Sequence, residues 1–290
     1  MKLSVRVDDA VTLNVRHRPG GGRPFVLLHG LGSNARMWDE IADRLEASGH
    51  PVYALDLRGH GESDVPGHGY DNATAVADVA GVCRHLRLSG FLLAGHSWGA
   101  NLAVRLAAEH PGLAAGLALV DGGWIRPDAA VDGASLRDKG AANLGWWGPG
   151  GAGTTLATMR DLLRALHPAW SPAAIEASLA DLAERPDGTL VPRLPMEHHI
   201  SIGLSMLDDP PARWYPGVKV PVLLLTALSE SSWEPWVRTW VAQAEAAMPQ
   251  TESRWYPDAD HNLHADHPDR VADDLLDLAR MVDKPAAERC

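Results

Sequence analysis

The sequence predicts an α/β fold, a mostly parallel sheet flanked by helices and interrupted by a helical insertion. Three observations predict it. Short, continuously apolar runs alternate with amphipathic stretches at helical spacing, as βαβ units require. One run, Phe91-Leu92-Leu93-Ala94, ends in Gly95-His96-Ser97-Trp98-Gly99 and passes at once into an alanine-rich amphipathic stretch, which places a serine at the apex of a strand, turn and helix. The alternation then stops over residues 124–214 and resumes afterwards.

Composition narrows the class. The chain has 290 residues, 46% of them hydrophobic and 22% charged, enough to bury a sizeable core in one large or two small domains. A formal net charge of -11 argues against nucleic acid as a partner, because phosphate binding needs basic patches. Cys83 falls in a predicted helix and Cys290 is the last residue, so no disulfide framework is expected. The first residues lack the apolar core of a signal peptide, and no apolar run is long enough to span a membrane, so a cytoplasmic enzyme is expected. Fourteen histidines and eleven tryptophans stand against two phenylalanines, which makes the placement of the former two worth following.

Taken in order, Leu3-Ser4-Val5-Arg6-Val7 and Val11-Thr12-Leu13-Asn14-Val15-Arg16 alternate apolar and polar residues and predict a hairpin of half-exposed strands. Pro24-Phe25-Val26-Leu27-Leu28-His29-Gly30 reads as a strand covered on both faces and ends in His29-Gly30-Leu31-Gly32. Met37, Ile41 and Leu45 mark a helix that stops near Gly49. Pro51-Val52-Tyr53-Ala54-Leu55 is the next strand and runs into Asp56-Leu57-Arg58-Gly59-His60-Gly61-Glu62-Ser63-Asp64. Residues 72–88 read as a helix capped by Asn72, and residues 98–110 as the helix after the serine. Leu117-Ala118-Leu119-Val120 is a strand ending in Asp121-Gly122-Gly123.

Residues 124–214 contain many prolines and glycines and no convincing strand; 161–167 and 172–184 read as helices. Strand character returns over residues 218–225, followed by a helix at about 234–247, a short strand at 253–256, and a last helix carrying Val271, Leu275, Leu278 and Val282 on one face. The expected division is a sheet domain of residues 1–123 and 215–290 with an inserted helical layer of residues 124–214.

The chemistry starts from Ser97. A serine hydroxyl is a poor nucleophile until a base removes its proton, and in this topology that base must sit just beyond a strand end. His261 follows the last strand and is the first choice. His264 and His267 extend a His-x-x-His-x-x-His spacing, but no carboxylate or cysteine cluster accompanies it, so no metal and no cofactor are expected; His264 reads as a supporting or entrance residue. The base needs a carboxylate to hold its tautomer. Two candidates stand after strands, Glu230 and Asp121, with Glu230 placed slightly ahead. The oxyanion of a tetrahedral intermediate needs preorganised N–H donors; the amides of Trp98 and Leu31 are the candidates, with the His29 side chain holding the loop.

With these residues in hand, the chain resembles the α/β-hydrolase superfamily, in its cap-bearing serine hydrolase branch. His29-Gly30-Leu31-Gly32 is similar to the family's oxyanion loop, residues 56–63 to its D-x-R-G-x-G-x-S turn, Gly95-His96-Ser97-Trp98-Gly99 to its nucleophile elbow, and the segment from Asp260 to Pro268 to its catalytic-histidine segment. The resemblance implies an eight-stranded, mostly parallel sheet and a helical cap. It also shows a departure: Glu230 falls where family members usually carry an aspartate, so either the acid is a glutamate or the role has moved to Asp121.

Ser97 excludes the family chemistries that need an aspartate nucleophile, haloalkane dehalogenation and epoxide hydrolysis. Hydrolysis of a carboxylic ester, lactone or thioester of a small molecule is the first reading. Carbon–carbon bond hydrolysis, hydroxynitrile cleavage, cofactor-free haloperoxidase activity and aminopeptidase activity share the apparatus; the last would need acidic residues such as Glu197 for a substrate amine. A non-catalytic small-molecule binding protein on the same scaffold is the reading of another class. Trp146 and Trp147 are the candidate substrate-binding residues, as an apolar pocket wall. They, Trp170 and Trp214 equally suit a role in packing the insertion on the core. Oligomeric state leaves no readable mark.

Overall fold

A computed structural model describes residues 1–8, 10–124, 154–228, 234–248 and 250–284. Its elements, in chain order, are β1 (Lys2–Arg6), β2 (Thr12–Arg18), β3 (Phe25–Leu28), a 3-10 turn (Ala35–Trp38) leading into α1 (Asp39–Ala47), β4 (Val52–Leu55), α2 (Asn72–His85), β5 (Phe91–His96), α3 (Trp98–Glu109) and β6 (Ala114–Val120). There follow α4 (Leu156–Leu166), α5 (Pro172–Leu179), β7 (Leu182–Glu184), β8 (Leu190–Pro192) and α6 (Met196–Asp208). The chain then returns to β9 (Val222–Ala227), α7 (Glu234–Ala247), β10 (Thr251–Tyr256), α8 (Leu263–Asp266) and α9 (Pro268–Asp283).

Eight strands form one sheet in the order β1-β2-β4-β3-β5-β6-β9-β10. Only the pairs β1–β2 and β2–β4 are antiparallel; β4–β3, β3–β5, β5–β6, β6–β9 and β9–β10 are parallel. The eight-stranded, mostly parallel expectation therefore holds. β5 lies inside the sheet, buried along its whole length, and its side chains alternate between the two faces. Phe91 and Leu93 join the core under α2, α3 and α7, whereas Leu92 and Ala94 join the core under α1 and α9. Burial on both faces is why this run reads as unbroken apolar sequence.

The segment between β6 and β9, sheet neighbours, holds α4, α5, α6 and a two-stranded hairpin of β7 and β8. The hairpin corrects the expectation of no strand there. The helix expected over 172–184 stops at Leu179, and the chain turns into β7, with the tight turn between β7 and β8 closed by Gly188 N–H donating to Arg185 O. Strands of three residues are too short to register as an alternating pattern. A small apolar cluster fastens this segment to the core: Trp170, Ala174 and Ile175 pack against Met37 and Ala265. The Trp170 indole N–H donates to Asp266 Oδ1 at 2.9 Å and the Ser171 hydroxyl to Glu40 Oε2 at 2.7 Å. No helix among the described residues is long and apolar enough to cross a membrane.

Candidate active site

Ser97 sits between β5 and α3 with φ 52° and ψ −115°, a left-handed backbone that a side chain adopts only under constraint. The constraint comes from its two flanking glycines. A Cβ on Gly95 would lie 2.3 Å from the Gly99 carbonyl oxygen, and one on Gly99 would lie 2.5 Å from the Leu28 carbonyl oxygen. The turn thus folds back on the start of α3 on one side and presses against the end of β3 on the other. No larger residue fits at either position.

Asp121 stands at the end of β6, the strand beside β5, and it too has a positive φ, 41°. Its backbone N–H donates to Leu225 O at 2.8 Å, and its Oδ1 accepts from the Ala227 N–H at 3.0 Å. The carboxylate is therefore anchored to β9, with Oδ2 left for another partner. That partner is His261 in the loop after β10: Nδ1 lies 2.6 Å from Asp121 Oδ2, and Nε2 lies 2.9 Å from Ser97 Oγ. The imidazole has one ring hydrogen when neutral. With Nδ1–H donated to the carboxylate, Nε2 carries the lone pair that accepts the serine proton. The Asp121 side chain is 9% exposed, while His261 is 43% exposed and open to a substrate. Glu230, the carboxylate placed ahead, lies outside the described residues. Among the described residues, the carboxylate that faces His261 Nδ1 is that of Asp121.

The loop after β3 is held by two buried histidines. His29 Nε2 accepts from the Leu57 N–H at 3.0 Å while Nδ1 meets Gly30 O at 2.7 Å. His60 Nε2 accepts from the Gly32 N–H at 3.1 Å while Nδ1 meets Arg58 O at 2.9 Å. Each ring uses one nitrogen as acceptor and the other as donor, so each must be neutral. Burial lowers the His29 pKa to about 4, and burial, reinforced by His29, lowers that of His60 to about 3. The Gly32 amide is spent on His60 and the Ser33 amide on Gly30 O. The Leu31 amide between them has no partner among the described residues. Across the site, Trp98 opens α3, where the first amides have no carbonyl one turn behind them. Both donor candidates are thus free to bind an oxyanion.

Two more neutral rings pack behind His261. His96 Nε2 meets the His261 carbonyl at 2.8 Å, and His264 lies with its ring 4.2 Å from that of His96 and 5.0 Å from Trp38. Burial drives the His96 pKa well below its ordinary value and lowers His264 to about 3. His264 is enclosed, so it supports the site and does not line an entrance. His261, His264 and His267 face different partners, and no group of three ligating side chains among the described residues could hold a metal.

Three further positions differ from their sequence reading or escaped it. The cap of α2 is Asp71, whose carboxylate accepts from the Thr74 amide at 2.9 Å, and Asn72 instead accepts from the Trp98 indole N–H at 2.9 Å. The neighbouring Asp71-Asn72 pair left that choice open, since both are capping types. His199 of α6, left unassigned by its sequence, is buried against Gly32 of the oxyanion loop. Glu197, considered for a substrate amine, has a side chain 80% exposed. Trp170 and Trp214 pack and bond within the fold, the latter donating to Asp209 Oδ1 at 2.8 Å; Trp146 and Trp147 lie outside the described residues.

Comparison with known proteins agrees with this geometry at the level of the family. A family model described as alpha/beta hydrolase fold matches residues 23–268. The chain is 38% identical over 120 residues to a 2-(acetamidomethylene)succinate hydrolase of Mesorhizobium japonicum, covering 41% of this chain and 42% of the relative. It is 40% identical over 91 residues to a non-heme haloperoxidase of Rhodococcus erythropolis, covering 31% of this chain and 33% of the relative. The aligned stretches thus span less than half of these curated relatives. A crystal structure of E-2-(acetamidomethylene)succinate hydrolase shares the fold, with a TM-score of 0.76 over 97% of this chain and 99% of that one at 24% identity. The serine elbow, the strand order and the family match over most of its length together place this chain in the α/β-hydrolase fold family.

Proposed function

We propose that the protein is a serine hydrolase that cleaves a carboxylic ester, lactone or thioester of a small apolar molecule through an acyl-enzyme. The observation that carries this reading is the unbroken hydrogen-bonded line from Asp121 through His261 to Ser97. In the proposed cycle His261 Nε2 takes the Ser97 proton as Oγ attacks the substrate carbonyl carbon. The carbonyl oxygen becomes an oxyanion held by the amides of Leu31 and Trp98. The tetrahedral adduct collapses, the C–O or C–S bond breaks, and His261 returns the proton to the leaving group. Water then attacks the acyl carbon and gives a proton to His261, which passes it to Ser97 Oγ as the ester bond breaks and the acid leaves. Asp121 is the acid of the triad, and its charge stabilises the imidazolium in both halves. Residues 124–214 act as the cap over residues 1–123 and 215–290, with Trp146 and Trp147 as its contribution to substrate binding.

The test is covalent labelling with a fluorophosphonate. The wild type labels at one site and Ser97→Ala does not; an unlabelled wild type overturns the reading in favour of a binding protein, and equal labelling of the variant overturns Ser97 as the nucleophile. A second reading, suggested by the haloperoxidase name of the Rhodococcus relative, opens the same acyl-enzyme with hydrogen peroxide in place of water and yields a peroxy acid. Bromination of a dye by bromide with peroxide and a carboxylic acid separates the two.

A further inference from the structure

The donor at Trp98 is tied to the inserted segment by one buried side chain. Asn72 is 3% exposed and Trp98 1% exposed. The Asn72 Oδ1 accepts from the Trp98 indole at 2.9 Å. Its Nδ2 donates to Asp209 O at 3.3 Å and to Ser205 O at 3.5 Å, and its backbone N–H donates to Ser205 Oγ at 2.9 Å. Ser205 belongs to α6 and Asp209 ends it. Asp71 caps α2 and the Asn72 N–H is satisfied by Ser205, so the Asn72 side-chain amide is left to bridge Trp98 and α6. These bonds run from the inserted segment to the residue whose amide faces the oxyanion.

A second grip lies further along α3, where Arg105 Nη1 donates to Asp209 Oδ2 at 2.7 Å. A third reaches the other donor. His199 of α6 has Cε1 3.6 Å from where a Cβ on Gly32 would lie. His60, which accepts from the Gly32 amide, has its ring 5.7 Å from that of Trp98. α6 thus bonds to the elbow through Asn72 and lies beside the loop at Gly32 through His199.

We infer that Asn72 is a positioning residue for the oxyanion hole. It transmits the placement of α6 to the Trp98 amide, so that the inserted segment sets the rate of acyl transfer and not only the choice of substrate. The inference rests on the acyl-transfer reading above. Asn72 touches no reacting atom. Its contribution is to hold Trp98 in one rotamer, and displacement of an oxyanion donor by a fraction of an ångström weakens a bond made only in the transition state.

The experiment uses the full chain and an aryl acetate, with Asn72→Leu and Ser205→Ala as variants. Asn72→Leu removes the indole acceptor while keeping the branching and the number of heavy atoms; Ser205→Ala removes only the hydroxyl that accepts from the Asn72 N–H, leaves the bonds to the Ser205 and Asp209 carbonyls in place, and is the milder variant if the first does not fold. The expected result is a fall in kcat of about 10- to 100-fold for Asn72→Leu and a smaller fall for Ser205→Ala, with KM within about threefold of wild type. Affinity for a boronic acid, whose serine adduct places an oxygen in the hole, falls in parallel with kcat/KM. The low-field NMR signal of the His261 Nδ1 proton stays in place, because the Asp121 contact is untouched. Unchanged kcat in folded variants overturns the inference, as does a loss of activity with boronate affinity unchanged, which marks a merely structural role. Fluorophosphonate labelling of Ser97 in the wild type keeps the two questions apart: without it the acyl-transfer reading falls, and with it a null result in the variants falls on Asn72 alone.

Discussion

The buried histidines predict a steep loss of stability in mild acid. His29, His60, His96 and His264 are each held neutral by burial, with pKa values of about 4, about 3 and about 3 for His29, His60 and His264, and well below the ordinary value for His96. In the unfolded chain each titrates near the free value of about 6.5. Between those limits the unfolded state binds more protons, so stability falls as pH falls, beginning near the unfolded pKa and continuing to the folded one. One such histidine costs about 2 kcal/mol between pH 7 and pH 5, and four cost roughly 8 kcal/mol, which is comparable to the whole stability of a domain. Asp181 works against this. Burial raises its pKa well above its ordinary value, so the folded chain holds a proton there that the unfolded chain lacks, and part of the loss is offset. Carboxylates with lowered pKa, such as Asp71 and Asp277, lose their contribution only below about pH 4 and stand outside the window. His199 on α6, whose pKa burial also lowers, adds to the loss, and Asp78, whose pKa burial raises, opposes it, so the net expectation is a slope of more than one proton, above about 1.4 kcal/mol per pH unit near pH 5. Urea unfolding followed by tryptophan fluorescence at pH 7, 6 and 5 measures it. His264→Leu should lower the slope by about one proton, since neither His264 nitrogen has a partner to lose. A slope of one proton or less in the wild type, or no change in the variant, refutes the reasoning.

Other expectations follow from single contacts. Asp121→Asn should cut kcat by about 10³- to 10⁴-fold through the wrong tautomer of His261, whereas Glu230→Gln should stay within a few-fold in the same ester assay; the reverse outcome would move the acid to Glu230. Gly99→Ala forces a Cβ to 2.5 Å from the Leu28 carbonyl oxygen, so the variant should be recovered unfolded or with a thermal midpoint far below wild type, and a normal midpoint would contradict the packing. Arg58 pairs with Asp78 in the interior, with side chains 3% and 6% exposed, and Arg58→Met should cost about 3–5 kcal/mol in urea unfolding by leaving the carboxylate unpaired. The exposed Lys2–Glu62 pair is the control, with Lys2→Met costing less than about 1 kcal/mol.

The parts of the site legible in the sequence are those that local chemistry dictates. Gly95 and Gly99 are required by the backbone of one turn, so the pentapeptide announces itself without knowledge of the rest of the fold. His261 was within reach because only a few histidines follow strands. The acid was not, because Asp121 and Glu230 both stand past strand ends and nothing near either residue shows which one β9 will anchor. In the structure β6 and β9 are adjacent, which brings the Ala227 amide to Asp121 Oδ1 and leaves Oδ2 facing His261, the geometry on which the proposal of Asp121 as the acid rests. The short hairpin of β7 and β8 was missed for a related reason, since three-residue strands carry too little pattern and only the Pro186-Asp187-Gly188 turn marked it.

Asn72 shows where sequence reading stops and why. An asparagine beside an aspartate at a helix start reads as a cap, and the local rule is satisfied whichever of the two residues fills it. With Asp71 in that place, the amide of Asn72 is free to bridge two elements that are distant in sequence, Trp98 at the elbow and Ser205 on α6. Such a bridge has no periodicity and no motif, because its partners are 26 and 133 residues away. The nucleophile, the base and the loop glycines are local features shared by every chemistry this apparatus could run. The element that grips them, α6, belongs to the segment whose sequence is least patterned. If Asn72 positions the oxyanion donor as inferred, a change in how the inserted segment packs alters the rate at Ser97 without touching any residue of the triad.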